Sequence, residues 1–330
     1  MDIRPAPLLR NRHLQSVLAS SSSRRRRLLK AHNPLIAASR PCLIETPHAR
    51  LSGSYSPQAG DTRGMVVLVH GWEGCVDSVY VLSMASRLYS AGFDVFRLNL
   101  RDHGGTHHLN EGMFHACRIE EVVESLATIH QRYRPEAPLL LGGFSLGGNI
   151  VLRAATAAPA AGLALSHVFA VCPVIDPRSA LHTLEHGPFM YSHYFRRKWR
   201  ASLRAKQASF PHIYNFDPVR RERSFLRLTD YFVKRYTDFS DAWAYLDGYA
   251  ITGDRLAGLE VPATLVASRD DPVLPVSDLE RMARPPSLEL MITRHGGHCG
   301  FVADWRGRVW IEPLITRRLL RAARHQRFPK

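Results

Sequence analysis

Cysteine is scarce in this sequence, and the few cysteines show no pairing pattern. There are five in 330 residues, at Cys42, Cys75, Cys117, Cys172 and Cys299. An odd, scattered set without a C-x-x-C pair indicates neither a disulfide framework nor a zinc ribbon. We therefore expect a protein of the reducing cytoplasm.

Long hydrophobic runs are also missing. No run approaches the ~18–20 apolar residues that are needed to span a bilayer. The first arginine cluster, Arg24–Arg27, is not preceded by the apolar stretch of a signal peptide. We therefore expect neither export nor a transmembrane anchor.

Acidic residues are few relative to basic ones. The chain has 44 Lys and Arg against 29 Asp and Glu, a net charge of +15. Basic residues cluster in residues 1–50, 196–235 and 306–330, and such patches attract the phosphates of nucleic acids or an anionic membrane surface. No helix-turn-helix, RNA-recognition or zinc-finger pattern accompanies the charge. We expect a solvated basic surface without a specific nucleic-acid partner, and peripheral contact with an anionic membrane stays open.

Apolar residues are abundant enough for one large core, at 45% of the chain. Apolar strands predicted at 65–70, 94–100, 137–143 and 166–173 alternate with amphipathic helices predicted at 78–91 and 118–133. Further strands are predicted at 262–268 and 288–292, before a closing helix at 309–324. This alternation is typical of βα units on a mostly parallel sheet flanked by helices.

The alternation stops between residues 175 and 255, which we interpret as a helical cap insertion. The chain then divides into a basic N-terminal arm with the first edge strands (1–57), a first part of the core (58–174), the cap segment (175–255) and a second part of the core (256–330). Residues 186–250 hold 16 of the 30 aromatic residues. Aromatic side chains in a cap could bind an acyl chain, although their helical spacing fits packing onto the core equally well.

The segment Gly143-Phe144-Ser145-Leu146-Gly147 matches the pattern G-x-S-x-G. It stands between a predicted strand and a predicted helix, where glycines relieve crowding around a strained turn and the serine projects above the sheet. We predict that Ser145 is a nucleophile. The Leu146 N–H, at the start of the helix, is then expected to stabilise an oxyanion.

A serine nucleophile requires a base and a carboxylate later in the chain. His298 is the predicted base, because Gly296 and Gly297 let its loop approach the serine, and His295 is the alternative. Asp271 is the predicted carboxylate after the strand at 262–268, and Asp270 remains open as the alternative.

The segment His70-Gly71-Trp72-Glu73-Gly74 follows the first clear strand. Its glycines allow a tight turn, so we predict that the Trp72 N–H is the second oxyanion donor. His70 is expected to support this loop.

Four histidines crowd the segment 103–115, and a metal site there would need them on one helical face. Gly104 and Gly105 argue against a helix, so we predict no metal ligands.

Four segments together resemble the α/β-hydrolase superfamily: 70–74, 143–149, 270–272 and 296–301. The segments "RNRHLQSVL" (10–18) and "NLRDHGGTHHLN" (99–110) are similar to the YheT-like branch of predicted esterases and lipases, although Arg12 stands where that branch would have proline. The resemblance implies a serine hydrolase that acts on carboxylic esters, of acylglycerols or other fatty acyl esters, without a cofactor.

Two other functions stay open. An acyltransferase would use the same Ser145 acyl-enzyme with an alcohol acceptor. A non-catalytic protein on a hydrolase scaffold would use the basic arm to bind nucleic acid or anionic lipid.

Overall fold

The computed structural model describes residues 5–30 and 32–327, without the side chains of residues 325–327. The outermost residues of the predicted arm and of the second core part therefore lie outside the described residues.

The described residues form one eight-stranded, mostly parallel sheet in the order β1-β2-β4-β3-β5-β6-β7-β8. Two antiparallel edge strands, β1 (Arg40–Glu45) and β2 (Arg50–Ser56), precede the parallel part. The parallel strands are β3 (Met65–Val69), β4 (Asp94–Leu98), β5 (Leu139–Phe144), β6 (His167–Val171), β7 (Ala263–Ser268) and β8 (Leu288–Thr293).

Apolar sequence explains why the central strands form. Every residue of β3, β4 and β5 is buried, as the apolar runs predict for strands covered on both faces. The strand predictions are confirmed to within two residues at each end. The carboxyl ends of the parallel strands meet at one edge of the sheet, where loops can combine their side chains into a site.

Helices flank the sheet. They are α4 (Val79–Ser90), α5 (Ile119–Tyr133), α6 (Leu146–Ala157) and α11 (Ile311–Arg327). α5 packs on α6, whereas α4 packs on α11. These four helices were predicted from the sequence.

Four helices lie between β6 and β7, within the predicted insertion. They are α7 (Pro177–His186), α8 (Phe189–Ser209), α9 (Phe225–Tyr236) and α10 (Ala242–Gly248). A buried ion pair ties α8 to the loop after β4: Lys206 Nζ lies 2.9 Å from Asp102 Oδ1, and both side chains are almost fully buried.

Three short helices precede the sheet: α1 (Arg12–Ala19), α2 (Ser22–Leu28) and α3 (Pro34–Ala38). The arginine cluster falls on α2, and part of it is structural. Arg24 Nη2 donates to Ser83 Oγ at 2.8 Å, and Arg25 Nε donates to the carbonyl of Asp77 at 3.0 Å. Burial lowers the pKa of Arg24. Within the described residues, no helix has both the length and the apolar character that crossing a membrane requires.

Candidate active site

Ser145 occupies the sharp turn between β5 and α6. Its backbone has φ 54° and ψ −121°, a left-handed conformation that non-glycine residues rarely adopt. A Cβ at Gly143 would overlap the backbone of Gly147, and a Cβ at Gly147 would overlap the carbonyl of His70. Neither position has room for a side chain, and the absence of one at both glycines lets α6 pack directly behind Ser145.

The structure brings Ser145, His298 and Asp271 together. His298 Nε2 lies 3.0 Å from Ser145 Oγ, and His298 Nδ1 lies 2.9 Å from Asp271 Oδ2. The side chain of Asp271 is 3% exposed, and its Oδ1 accepts hydrogen bonds from the amides of Val273 and Leu274 at 2.8 and 3.0 Å. The carboxylate is thus held in one orientation, with its second oxygen directed at the imidazole.

The two alternatives from the sequence lie elsewhere in the same loops. Asp270 Oδ1 accepts from the amides of Gly296 and Gly297 at 3.0 and 2.9 Å, and from the hydroxyl of Ser268. His295 Nδ1 lies 3.5 Å from Asp270 Oδ2. Asp270 therefore shapes the loop that carries His298, while the adjacent Asp271 faces the imidazole.

His298 has a perturbed pKa. Burial lowers it, but the Asp271 carboxylate and the neighbouring Cys299 raise it, and the balance raises the pKa of His298 to about 9. A carboxylate at hydrogen-bond distance stabilises the imidazolium. A histidine base that takes a proton from a hydroxyl requires this stabilisation.

Two backbone amides border Ser145 without a hydrogen-bond acceptor in the described part of the chain, those of Trp72 and Leu146. Leu146 is the first residue of α6, where the helix leaves amides unsatisfied. The loop of Trp72 passes close by, since a Cβ at Gly71 would lie 3.1 Å from the Cβ of Ser145. The loop of Trp72 therefore lies beside the serine, and the role of the two amides as oxyanion donors stays a prediction.

Two buried histidines brace the Trp72 loop. His70 Nδ1 lies 2.7 Å from the carbonyl of Gly71, and the amide of Leu100 donates to His70 Nε2 at 3.1 Å. The amide of Glu73 donates to His103 Nε2 at 3.2 Å. Burial lowers the pKa of His70 to about 4 and that of His103 well below its usual range, so both rings are neutral and can accept these bonds.

The bracing role of His103, and that of Tyr80, were not predicted from the sequence. The Tyr80 hydroxyl accepts from the amide of Gly71 at 3.1 Å, because α4 begins directly after the loop. The only sequence signal for His103 was its place in the histidine-rich loop after β4.

An apolar cavity of about 110 Å³ reaches Ser145. Its walls include Ala180 and Leu184 of α7, Phe195 and Trp199 of α8, and Phe232 of α9. The Trp72 ring stacks on Phe195 with centroids 5.4 Å apart. The helices between β6 and β7 therefore line an apolar cavity that reaches the serine.

One group of ligand-type side chains lies beside the serine. The ligand atoms of Cys172, His298 and Cys299 lie within 4.8 Å of one another, so these residues could hold a thiophilic metal ion. His107 of the histidine-rich loop instead contacts Ser202 of α8, at 2.8 Å from Nε2 to Oγ. That the protein uses no metal stays a prediction.

Sequence comparison identifies the class of protein that this fold and site define. The family described as alpha/beta hydrolase fold matches residues 64–304, so the chain belongs to this family.

The individual similar proteins share less than a quarter of their aligned residues with this chain. The chain is 24% identical over 274 residues to "Putative esterase YheT" of Escherichia coli (strain K12), covering 80% of this chain and 79% of that protein. It is 24% identical to "Phospholipase ABHD3" of Bos taurus, covering 73% of this chain but only 59% of that protein. The esterase Pf2001 of Pyrococcus furiosus shares the fold, with a TM-score of 0.57, 15% identity, and coverage of 87% of this chain and 90% of the other.

Proposed function

We propose that this protein is a serine hydrolase that cleaves carboxylic esters through an acyl-enzyme. The observation that carries the proposal is the continuous chain of contacts from Ser145 Oγ to His298 at 3.0 Å and from His298 to Asp271 at 2.9 Å. The esterase and phospholipase names of the relatives support the same reaction class.

In the proposed reaction, His298 Nε2 takes the proton of Ser145 as Oγ attacks the ester carbonyl carbon. The carbonyl oxygen becomes negatively charged and is stabilised by the amides of Trp72 and Leu146. Collapse of this intermediate expels the alcohol, which takes the proton from His298. Water then attacks the acyl-enzyme with His298 as base, releasing the carboxylic acid and restoring Ser145.

We propose a fatty acyl ester as substrate, either an acylglycerol or, following the name of the bovine relative, a phospholipid. The apolar walls contributed by α7, α8 and α9 support an apolar acyl group, because they offer it contact area and exclude water from the oxyanion. In this proposal, residues 175–255 act as a cap over the serine and no cofactor takes part.

We also propose a cytoplasmic protein that contacts anionic membranes peripherally. The start of α8 supports this placement, since Phe189 is 71% exposed and Met190 45% exposed on a helix that continues into Arg196 and Arg197. Exposed apolar side chains beside arginines suit a bilayer surface with negative headgroups.

The test is mass spectrometry of the purified protein after incubation with a fluorophosphonate probe. We expect one adduct, on Ser145, that is absent from Ser145→Ala and present in the control Ser240→Ala, which changes an exposed loop serine. Ser145→Ala should also abolish hydrolysis of p-nitrophenyl esters while the fold remains intact. Wild-type hydrolysis by Ser145→Ala would end the proposal.

Product analysis with added alcohols separates hydrolysis from acyl transfer. Free acid as the main product supports the hydrolase, and a new ester as the main product supports the acyltransferase. Binding to heparin by a folded protein that neither reacts with the probe nor cleaves esters would instead support a non-catalytic anion-binding protein.

A further inference from the structure

The loop that carries His298 is held from outside by α1, near the other end of the chain. The backbone N–H of His298 donates to Ser16 Oγ at 2.9 Å. The Ser16 hydroxyl in turn donates to the carbonyl of Arg12 at 2.8 Å, one turn earlier in α1. Ser16 therefore fixes the backbone of His298 itself.

Gln15 fixes the far side of the same loop. Its side chain is fully buried, and its Nε2 donates to the carbonyls of Leu9 and Val302 at 2.5 and 2.9 Å. Its Oε1 accepts from the amide of Val302 at 2.7 Å. One buried amide thus satisfies both backbone groups of Val302, four residues after His298, as a neighbouring strand would.

Glycines in the His298 loop allow this close approach. A Cβ at Gly297 would lie 2.5 Å from the carbonyl oxygen of Arg12, and a Cβ at Gly300 would lie 2.5 Å from that of Gln15. Gly297 also has φ 54°. These glycines therefore flank His298 with two points of backbone contact to α1, in addition to the hydrogen bonds.

We propose that Gln15 and Ser16 are positioning residues that set the distance between His298 and Ser145. The proposal rests on the proposed function, in which His298 is the base. Neither side chain reaches the reacting atoms, so each acts through the loop backbone. Without these contacts the loop would shift and carry the imidazole with it. A displacement of ~1 Å between reacting groups can lower the rate about 100-fold.

The first variant is Ser16→Ala, which removes the acceptor of the His298 amide. We expect kcat for a p-nitrophenyl ester to fall by about 10-fold to 100-fold with KM unchanged, because the acyl cavity is not altered. Ser16→Thr keeps the hydroxyl and should restore most of kcat. The matched control is Ser20→Ala, an exposed serine at the end of the same helix, which should behave as wild type.

Gln15→Ala tests the second contact and should lower kcat similarly, with some loss of thermal stability. Titration with the fluorophosphonate to its endpoint counts competent sites, so kcat per site is independent of any unfolded fraction. A kcat per site equal to that of wild type in Ser16→Ala overturns the proposal, as does a loss confined to KM or the absence of rescue by Ser16→Thr.

Failure of the inference can be told apart from failure of the proposed function. If wild-type Ser145 does not react with the probe, the proposed function fails. If wild type reacts and Ser16→Ala reacts at the same rate, only the positioning role fails.

Discussion

Replacing the two adjacent aspartates after β7 separately gives a sharp test of the site. Asp271→Asn should fit the same space, because the amide oxygen can still accept from the amides of Val273 and Leu274. The amide NH2 then faces His298 Nδ1 at about the position of the present 2.9 Å contact. A donor there favours the tautomer with the proton on Nε2, which cannot take the proton of Ser145.

The expected loss for Asp271→Asn is about 10⁴-fold in kcat, as for a triad imidazole held in the wrong tautomer. This corresponds to about 5.4 kcal/mol of transition-state stabilisation. Asp270→Asn is the matched control, with the same chemical change one residue away. Its Oδ1 can still accept from the amides of Gly296 and Gly297, so we expect a loss within about 10-fold.

The assay is steady-state hydrolysis of a short p-nitrophenyl ester, with competent sites counted by phosphonate labelling and folding checked by circular dichroism. Comparable losses in the two variants, or a larger loss in Asp270→Asn, would refute the assignment of Asp271 as the partner of His298.

Three further predictions follow from the same geometry. Because the base must be neutral and the pKa of His298 is raised to about 9, kcat/KM should rise about tenfold per pH unit below pH 9 and level off above it; a plateau already present at pH 7 would contradict this. Ala180→Trp should fill the cavity beside Ser145 and lower the ratio of kcat/KM for long against short p-nitrophenyl esters by about tenfold or more, and an unchanged ratio would place the acyl chain elsewhere. Lys206→Met should leave the buried carboxylate of Asp102 without its ion-pair partner and lower the free energy of unfolding, measured in urea, by about 3–5 kcal/mol. A loss below about 1 kcal/mol would contradict a buried ion pair.

The central sheet was predictable because its strands are apolar runs bounded by turn residues. Ser145, His298 and Asp271 were predictable for a related reason: each lies in the turn or loop that follows such a strand, and parallel strands bring these loops to one edge. Local sequence therefore carried most of the information about the candidate site.

The sequence favoured Asp271 over Asp270 but could not exclude Asp270. Both carboxylates follow β7, and which one faces the imidazole depends on how the amides of Gly296 and Gly297 capture Asp270. Gln15 and Ser16 lie in the segment 10–18 that carried the family resemblance, but nothing in that segment indicated a contact with the His298 loop. Their partners lie 287 and 282 positions away, and neither residue type is unusual in a short amphipathic helix.

The contact between α1 and the His298 loop has a consequence for the order of folding and unfolding. Closing a contact between residues that are 282 positions apart lowers the conformational entropy of the chain. We expect this loss to be offset only once most of the core has formed. Besides Gln15 and Ser16, only Ala19 is buried along the short α1. Hydrolytic competence should therefore be the last property gained on refolding and the first lost on warming, while the eight-stranded sheet is still intact.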